Sequence, residues 1–229
     1  MSVMGQLVLS PKGRGRTEPV RLYGLAVLRG AADPSGFWGE RRLRRAAEGL
    51  RRGGALRVLT APDFDRWPLL ARFGLRPVDP EPFVRAQTVP LALEVLGRRG
   101  LSPDRATVAL RGLRADREMA RAAVRLCRQV RRLVIDAPQG GEELSAWLRR
   151  EYGVPVLPPG EAGQVALRFQ EGSPRMEEVS LDLYGPVPGL AGMTLSAPGL
   201  EGEDRENLPL LTALWEGGRL APEDAKCQD

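Results

Sequence analysis

Gly112, Arg114 and Asp136 stand at the spacing of a nucleotide grip. In "ALRGLRADRE" a glycine follows an apolar run and precedes a helical pattern, and Asp136 closes the next apolar run, "RRLVID", 24 positions on. A glycine at a strand-to-helix turn lets backbone approach a pyrophosphate, and an acidic residue about 20 positions later accepts the ribose 2′-hydroxyl. The full fingerprint is G-x-G-x-x-G. Here the window is Gly112-Leu113-Arg114-Ala115-Asp116-Arg117, so only the first glycine stands. Arg114 and Arg117 put long side chains where backbone should meet phosphate, although an arginine fork can bind phosphate by itself. Asp116 is placed to cap the helix and Glu118 falls in its first turn; their carboxylates use the free N–H groups and repel a phosphate. Asp136 has two roles open to it, ribose acceptor or cap of the loop "APQGG" and the helix beyond. Gly112, Arg114 and Asp136 are the candidate cofactor-binding residues of a site open to an unusual nucleotide, NAD(P) among them, or to an acidic metabolite; no single cofactor is assigned.

Other chemistry is narrowed by what the chain lacks. It has no histidine, which removes Ser-His-Asp and Cys-His catalysis. With only Cys127 and Cys227 far apart in the chain, no zinc set forms either, and no metal ligands are assigned. The lysines are Lys12 and Lys226, both near chain ends. Acid–base work is left to Asp, Glu, Tyr or Cys, and no catalytic residue is assigned. Cys127 lies in an apolar helical register, so a small core residue is favoured over an unassisted nucleophile. Two unpaired cysteines fit a reducing cytoplasm. Asp63 and Asp65 follow an apolar strand, where α/β proteins keep their sites, but capping of the next helix by one of them is the favoured account. Tyr184 and "GPVPG" end a later strand in a rigid turn.

The elements that would position these residues can be read along the chain. Residues 6–10 and 19–30 read as strands around a basic loop, "PKGRGR". Residues 37–52 form a helix with Leu43, Ala46, Ala47 and Leu50 on one face. A short strand at 55–62 leads to a helix at 65–73, with Pro68 in its first turn and Gly74 closing it. After the proline-rich corner 76–82, residues 83–100 are mostly helical, and Pro90 either starts a second segment or kinks the first. From residue 106 the rhythm is strand 106–111, helix 116–128, strand 131–137, helix 142–152, then strands at 154–157, 165–169 and 179–184. A short helix at 207–215 and a frayed end complete the chain. This alternation predicts an α/β fold with a largely parallel sheet. We expect a smaller N-terminal α/β lobe, residues 1–100, and a Rossmann-like lobe with a C-terminal helix, residues 101–229.

The segment "PLALEVLGRRGLSPD" followed by "RATVALRG" resembles the entry into the cofactor domain of shikimate dehydrogenase and methylenetetrahydrofolate dehydrogenase. "GQVALRF" matches a later apolar strand of those enzymes, and "VSLDLYGPVP" is similar to the strand end of shikimate dehydrogenases. The likeness runs over residues 90–188 and lies in element order and length. It implies a two-domain Rossmann fold and NAD(P) chemistry. The catalytic lysine and aspartate of shikimate dehydrogenases have no counterpart in the first hundred residues.

The 229 residues allow one large α/β domain or two small ones. No apolar run approaches the roughly 18–20 residues of a membrane helix, and "MSVMGQLVLS" lacks the basic and apolar regions of a secretion signal. Net charge is +5, and all but two of the 34 basic residues are arginine, which points to a GC-rich bacterial genome and weakens the inference from a basic chain to a nucleic-acid partner. Arg117, Arg121, Arg125 and Arg128 share a helix face opposite Met119, Ala123, Leu126 and Val130. That is the solvated side of an amphipathic helix, and no aromatic platform accompanies it. The expected function is a cytoplasmic Rossmann-like protein that binds a partner protein or small ligand without catalysis. The alternatives are a divergent NAD(P)-dependent oxidoreductase and nucleic-acid binding through arginine-rich faces.

Overall fold

Leu22 and Leu25 face each other across a two-residue turn that organises the first sheet. In the computed structural model, which describes residues 3–171 and 178–228, the chain opens with β1 (Val3–Leu9), β2 (Arg14–Leu22) and β3 (Leu25–Ala32). The expected single strand at 19–30 is broken at Tyr23 and Gly24, whose φ angles are 46° and 81°. Two successive residues at positive φ match a hairpin turn of the I′ kind. Tyrosine seldom adopts that conformation, so residue type alone hides the turn. Part of the stretch read as a basic loop, from Arg14, is already strand. α1 (Gly39–Arg52), β4 (Ala55–Leu59), α2 (Trp67–Ala71) and β5 (Arg76–Pro77) follow. The order is β2-β3-β1-β4-β5, antiparallel between β2 and β3 and parallel elsewhere. The α1 residues Leu43, Ala46, Ala47 and Leu50 pack with Leu7, Val58 and Leu70, as their helical spacing requires. Each fully buried leucine contributes about 1.5–3 kcal/mol.

The second sheet is parallel throughout. α3 (Glu81–Ala86) and α4 (Thr88–Arg98) meet at Gln87. Pro90 lies in the first turn of α4, so it starts a second segment instead of kinking one. Then come β6 (Thr107–Arg111), α5 (Arg117–Leu126), β7 (Arg132–Asp136), α6 (Gly141–Tyr152), β8 (Val156–Leu157), β9 (Val165–Arg168) and β10 (Val179–Asp182). Their order is β10-β9-β6-β7-β8. Counted from β6 this is 3-2-1-4-5 from the other edge, the Rossmann-like order. α5 packs beside both α4 and α6. Strand alternation turns Val108, Leu110, Leu133, Ile135, Val165 and Leu167 to one face, and Ile135 meets the start of α6 there. The opposite face holds a separate cluster of Ala109, Val134, Ala166 and Leu157. The return from β8 to β9 crosses that second face as a loop, where Gly163 lies against the backbone of Thr107 and Ala109.

β11 (Thr194–Ser196), α7 (Leu208–Glu216) and β12 (Lys226–Gln228) complete the chain. α7 sets Leu210, Ala213 and Leu214 against Met4, Val27, Leu59 and Val78, covering the face of the first sheet that α1 leaves open. The compact units are therefore Met1–Asp79 with Ala197–Asp224, and Pro80–Ser196 with Ala225–Asp229. This division differs from a single cut near residue 100: α4 packs on β9, and α7 belongs to the first sheet. The end read as frayed is paired, β12 running antiparallel to β11. Among the described residues no helix is long and apolar enough to cross a membrane.

Candidate functional site

Gly112, Arg114 and Asp136 do meet at the carboxyl edge of the parallel sheet, chiefly through backbone. The Gly112 N–H donates to the Asp136 carbonyl at 3.0 Å. Beyond it the two loops stay zipped: Gln139 donates to the Leu113 carbonyl at 3.2 Å, and Ala115 to the Gln139 carbonyl at 2.8 Å. Arg114 is bridged to Gln139 and its side chain is exposed. A phosphate-binding turn needs outward-facing N–H groups. Here the Leu113 N–H goes instead to the Gln170 side-chain oxygen, 2.6 Å away. That bond spans the gap between the loops following β6 and β9, strands whose continuations run to opposite sides of the sheet. α5 is likewise occupied at its start. Asp116 caps it, accepting from the Met119 N–H at 2.8 Å, and Arg85 approaches Asp116 at 3.7 Å.

Asp136 is committed to an ion pair. Arg111 ends β6 in register with Asp136, and its Nη1 donates to Asp136 Oδ2 at 2.5 Å. Its Nε and Nη2 grip Glu178 at 2.9 and 2.5 Å, and Nη2 also reaches the Glu161 carbonyl at 2.9 Å. Glu178 in turn accepts the Gly163 N–H at 2.6 Å. Side-chain exposure is 10% for Arg111, 29% for Asp136 and 0% for Glu178. Desolvation alone would lower the Arg111 pKa. The bonds to Glu178 and Asp136 outweigh it and hold the guanidinium above its ordinary value. Beside Arg111 stands Arg168, ending β9 in the same row. It pairs with Asp182 at 2.9 Å and donates to the Tyr184 hydroxyl at 3.2 Å. Across four strands the row reads Asp136, Arg111, Arg168, Asp182. Sequence reasoning named Asp136 and passed over the rest. The available signal was the tetrapeptide Val-Ala-Leu-Arg, which occurs at 108–111 and again at 165–168 and whose two copies pair residue by residue.

The remaining candidates fall mainly to ordinary roles. Arg121 pairs with Glu118 and Arg125 donates to the Ala86 carbonyl, while Met119, Ala123, Leu126 and Val130 are buried opposite. Asp63 and Asp65 are exposed after β4. Neither caps α2, which has no side-chain cap; Asp65 bonds Arg66 at 3.2 Å. Burial raises the Cys127 thiol above its ordinary value, and it also raises Cys227, with Glu94 adding to the effect.

The first sheet keeps a crevice at the corresponding place. β1 continues towards β2 and β3 on one side, while neighbouring β4 continues to β5 on the other. Such a divergence of adjacent strands is where open α/β sheets bind ligands. The β1 ladder with β4 stops at Gln6↔Leu59, but its ladder with β3 runs on to Leu9↔Ala32. The notch left beside Leu7–Leu9 opens into a cavity of about 220 Å³. Its lining includes the buried Leu59 and Leu210, with Thr60 at the end of β4. Glu203, Asp204 and Asn207 border it from the segment entering α7. Asn207 spends its side-chain oxygen capping α7 at the Leu210 N–H, 3.2 Å. Asp204 accepts the Tyr23 hydroxyl at 2.9 Å, a bond that raises the Tyr23 phenol above its ordinary value.

No protein-family model matches this chain, and no curated protein matches it. Among solved structures it is similar to L-tryptophan dehydrogenase from Nostoc punctiforme, with a TM-score of 0.33 and 16% identity. The match covers 73% of this chain and 56% of that one, so the chain spans little more than half of that protein. A likeness at this level does not bear on activity.

Proposed function

We propose that this chain is a non-catalytic, Rossmann-like binding protein whose second sheet has exchanged its nucleotide grip for a structural lock. One observation carries this reading: Asp136, the residue placed to hold a ribose, is bound by Arg111, which is itself held by Glu178. The zipped loops at 112–115 and 136–139 and the Gln170 bond to Leu113 support it, because they use the N–H groups that a pyrophosphate would need. The ligand or partner is met elsewhere, and the first-sheet crevice offers the space.

The test is thermal unfolding with NAD, NADP, ATP and S-adenosylmethionine at millimolar concentration. A ligand that binds the native state raises the transition by mass action. No shift is expected with any of the four. A shift with NAD or NADP that disappears in Asp136→Ala would restore the divergent oxidoreductase in place of the binding protein.

A further inference from the structure

We infer that the crevice between the ends of β1 and β4 binds a small ligand made of an apolar body and an ammonium group. The inference rests on the reading of the chain as a binding protein and supplies the class of ligand. Three observations converge on it. The site is a cavity at the point where strand continuations diverge, formed because β1 outruns β4 by three residues. At about 220 Å³ it has room for about seven water-sized groups at roughly 30 Å³ each, enough for a short alkyl chain or one aromatic ring. Its buried Leu59 and Leu210 offer an apolar surface, which favours a hydrocarbon body over a sugar or a phosphate.

The charge of the ligand follows from the same lining. The ionisable residues bordering the cavity are Glu203 and Asp204, and no lysine or arginine is among the lining residues. Arg29 donates to the side-chain oxygen of the lining Gln6 at 2.9 Å and does not itself line the cavity. At the start of α7 the Leu210 N–H is already taken by the Asn207 side-chain oxygen, so that donor is not open to an anion. Asp204 uses one oxygen for Tyr23 and keeps further lone pairs for a second donor. An ammonium group meets two carboxylates there, whereas a carboxylate or phosphate meets repulsion.

The experiment is calorimetric titration of the full chain with tyramine and n-hexylamine, against their uncharged counterparts tyrosol and 1-hexanol and against hexanoate. The amines should bind at least tenfold more tightly than the alcohols, and hexanoate should not bind. The double variant Glu203→Gln/Asp204→Asn should weaken the amines at least tenfold and leave the alcohols unchanged. Tyr23→Phe removes only the hydroxyl, so it should keep amine binding and control for disturbance of the segment. Equal binding of amine and alcohol, full binding by the double variant, or no binding by either amine would overturn the inference. Amine consumption during the titration would overturn the non-catalytic reading and leave the site standing. Silence from the amines together with silence from nucleotides would remove the site and leave that reading intact.

Discussion

Arg111 and Arg168 stand side by side, in register, at the ends of adjacent parallel strands. Like charges so placed repel, and the row holds only because Glu178 and Asp136 flank one arginine and Asp182 the other. Removing one member of an enclosed pair leaves the other uncompensated. Arg111→Met is therefore expected to lower unfolding stability by about 3 kcal/mol, because it strands the Glu178 carboxylate. Arg111→Met/Glu178→Leu should recover most of that loss. Urea unfolding of the two variants beside the parent checks both statements.

Asp136→Ala separates a ligand role from a structural one. Its partner Arg111 keeps Glu178, so the expected loss is smaller, about 1–2 kcal/mol. Unfolding stability should fall, and no nucleotide response is expected from the variant or from the parent. Unchanged stability would show that the Arg111 bond does not hold the fold.

Gly163→Ala tests the loop that covers the second face. A Cβ there would stand 2.9–3.0 Å from the Val165 carbonyl, the Ala109 nitrogen and the Thr107 carbonyl, all backbone atoms with little freedom to give. Overpacking of this kind costs about 1–3 kcal/mol. Faster amide exchange at Gly163 and Gln164 is expected with it, read by native-state hydrogen exchange.

Gly24→Ala isolates backbone strain. The nearest atoms to a Cβ there belong to Arg219, at 3.6 and 3.8 Å, so space is sufficient. The φ of 81° is what an L residue resists, by about 1–2 kcal/mol. Thermal unfolding should show that loss, with far-ultraviolet circular dichroism unchanged.

Acid should weaken the fold partly through Asp33. Ser35 donates to its carboxylate from hydroxyl and backbone, and Arg42 stands beside it, so its pKa is lowered. A depressed folded pKa contributes stability above the unfolded value, and that stability is lost as pH falls through the folded one. Asp33→Asn should flatten the decline in stability between about pH 5 and 3 and change the slope little near neutrality. A slope equal to the parent's across that window would refute the assignment.

Much of the α/β order is legible in the residues, because helical spacing and apolar strands are local signals. Leu43, Ala46, Ala47 and Leu50 mark the buried face of α1, and Asp116 marks the start of α5, before any packing is known. What stays hidden depends on chain segments far apart. α7 has no local feature that assigns it to Met4 and Val27 instead of the sheet just before it. The Tyr23–Gly24 turn is masked by an unfavoured residue type. Asp136 is visible as an acid at a strand end, but its partner is not, since Arg111 reads as a routine surface arginine until Glu178 is folded onto it. The first-sheet crevice depends on one strand outlasting its neighbour, a difference of three residues that composition does not carry.

The placement of α7 bears on the order of events during synthesis. Residues 80–196 supply the whole second sheet as one continuous segment, whereas the first sheet gains its second covering layer only from residues 208–216. Domains tend to fold as their residues emerge from the ribosome. The portion made first must therefore wait with Met4, Val27 and Leu59 uncovered while the portion made second is completed. A ribosome-bound chain halted near residue 200 should then expose an apolar face that chaperones recognise, and release of that face should coincide with emergence of Leu210 and Leu214.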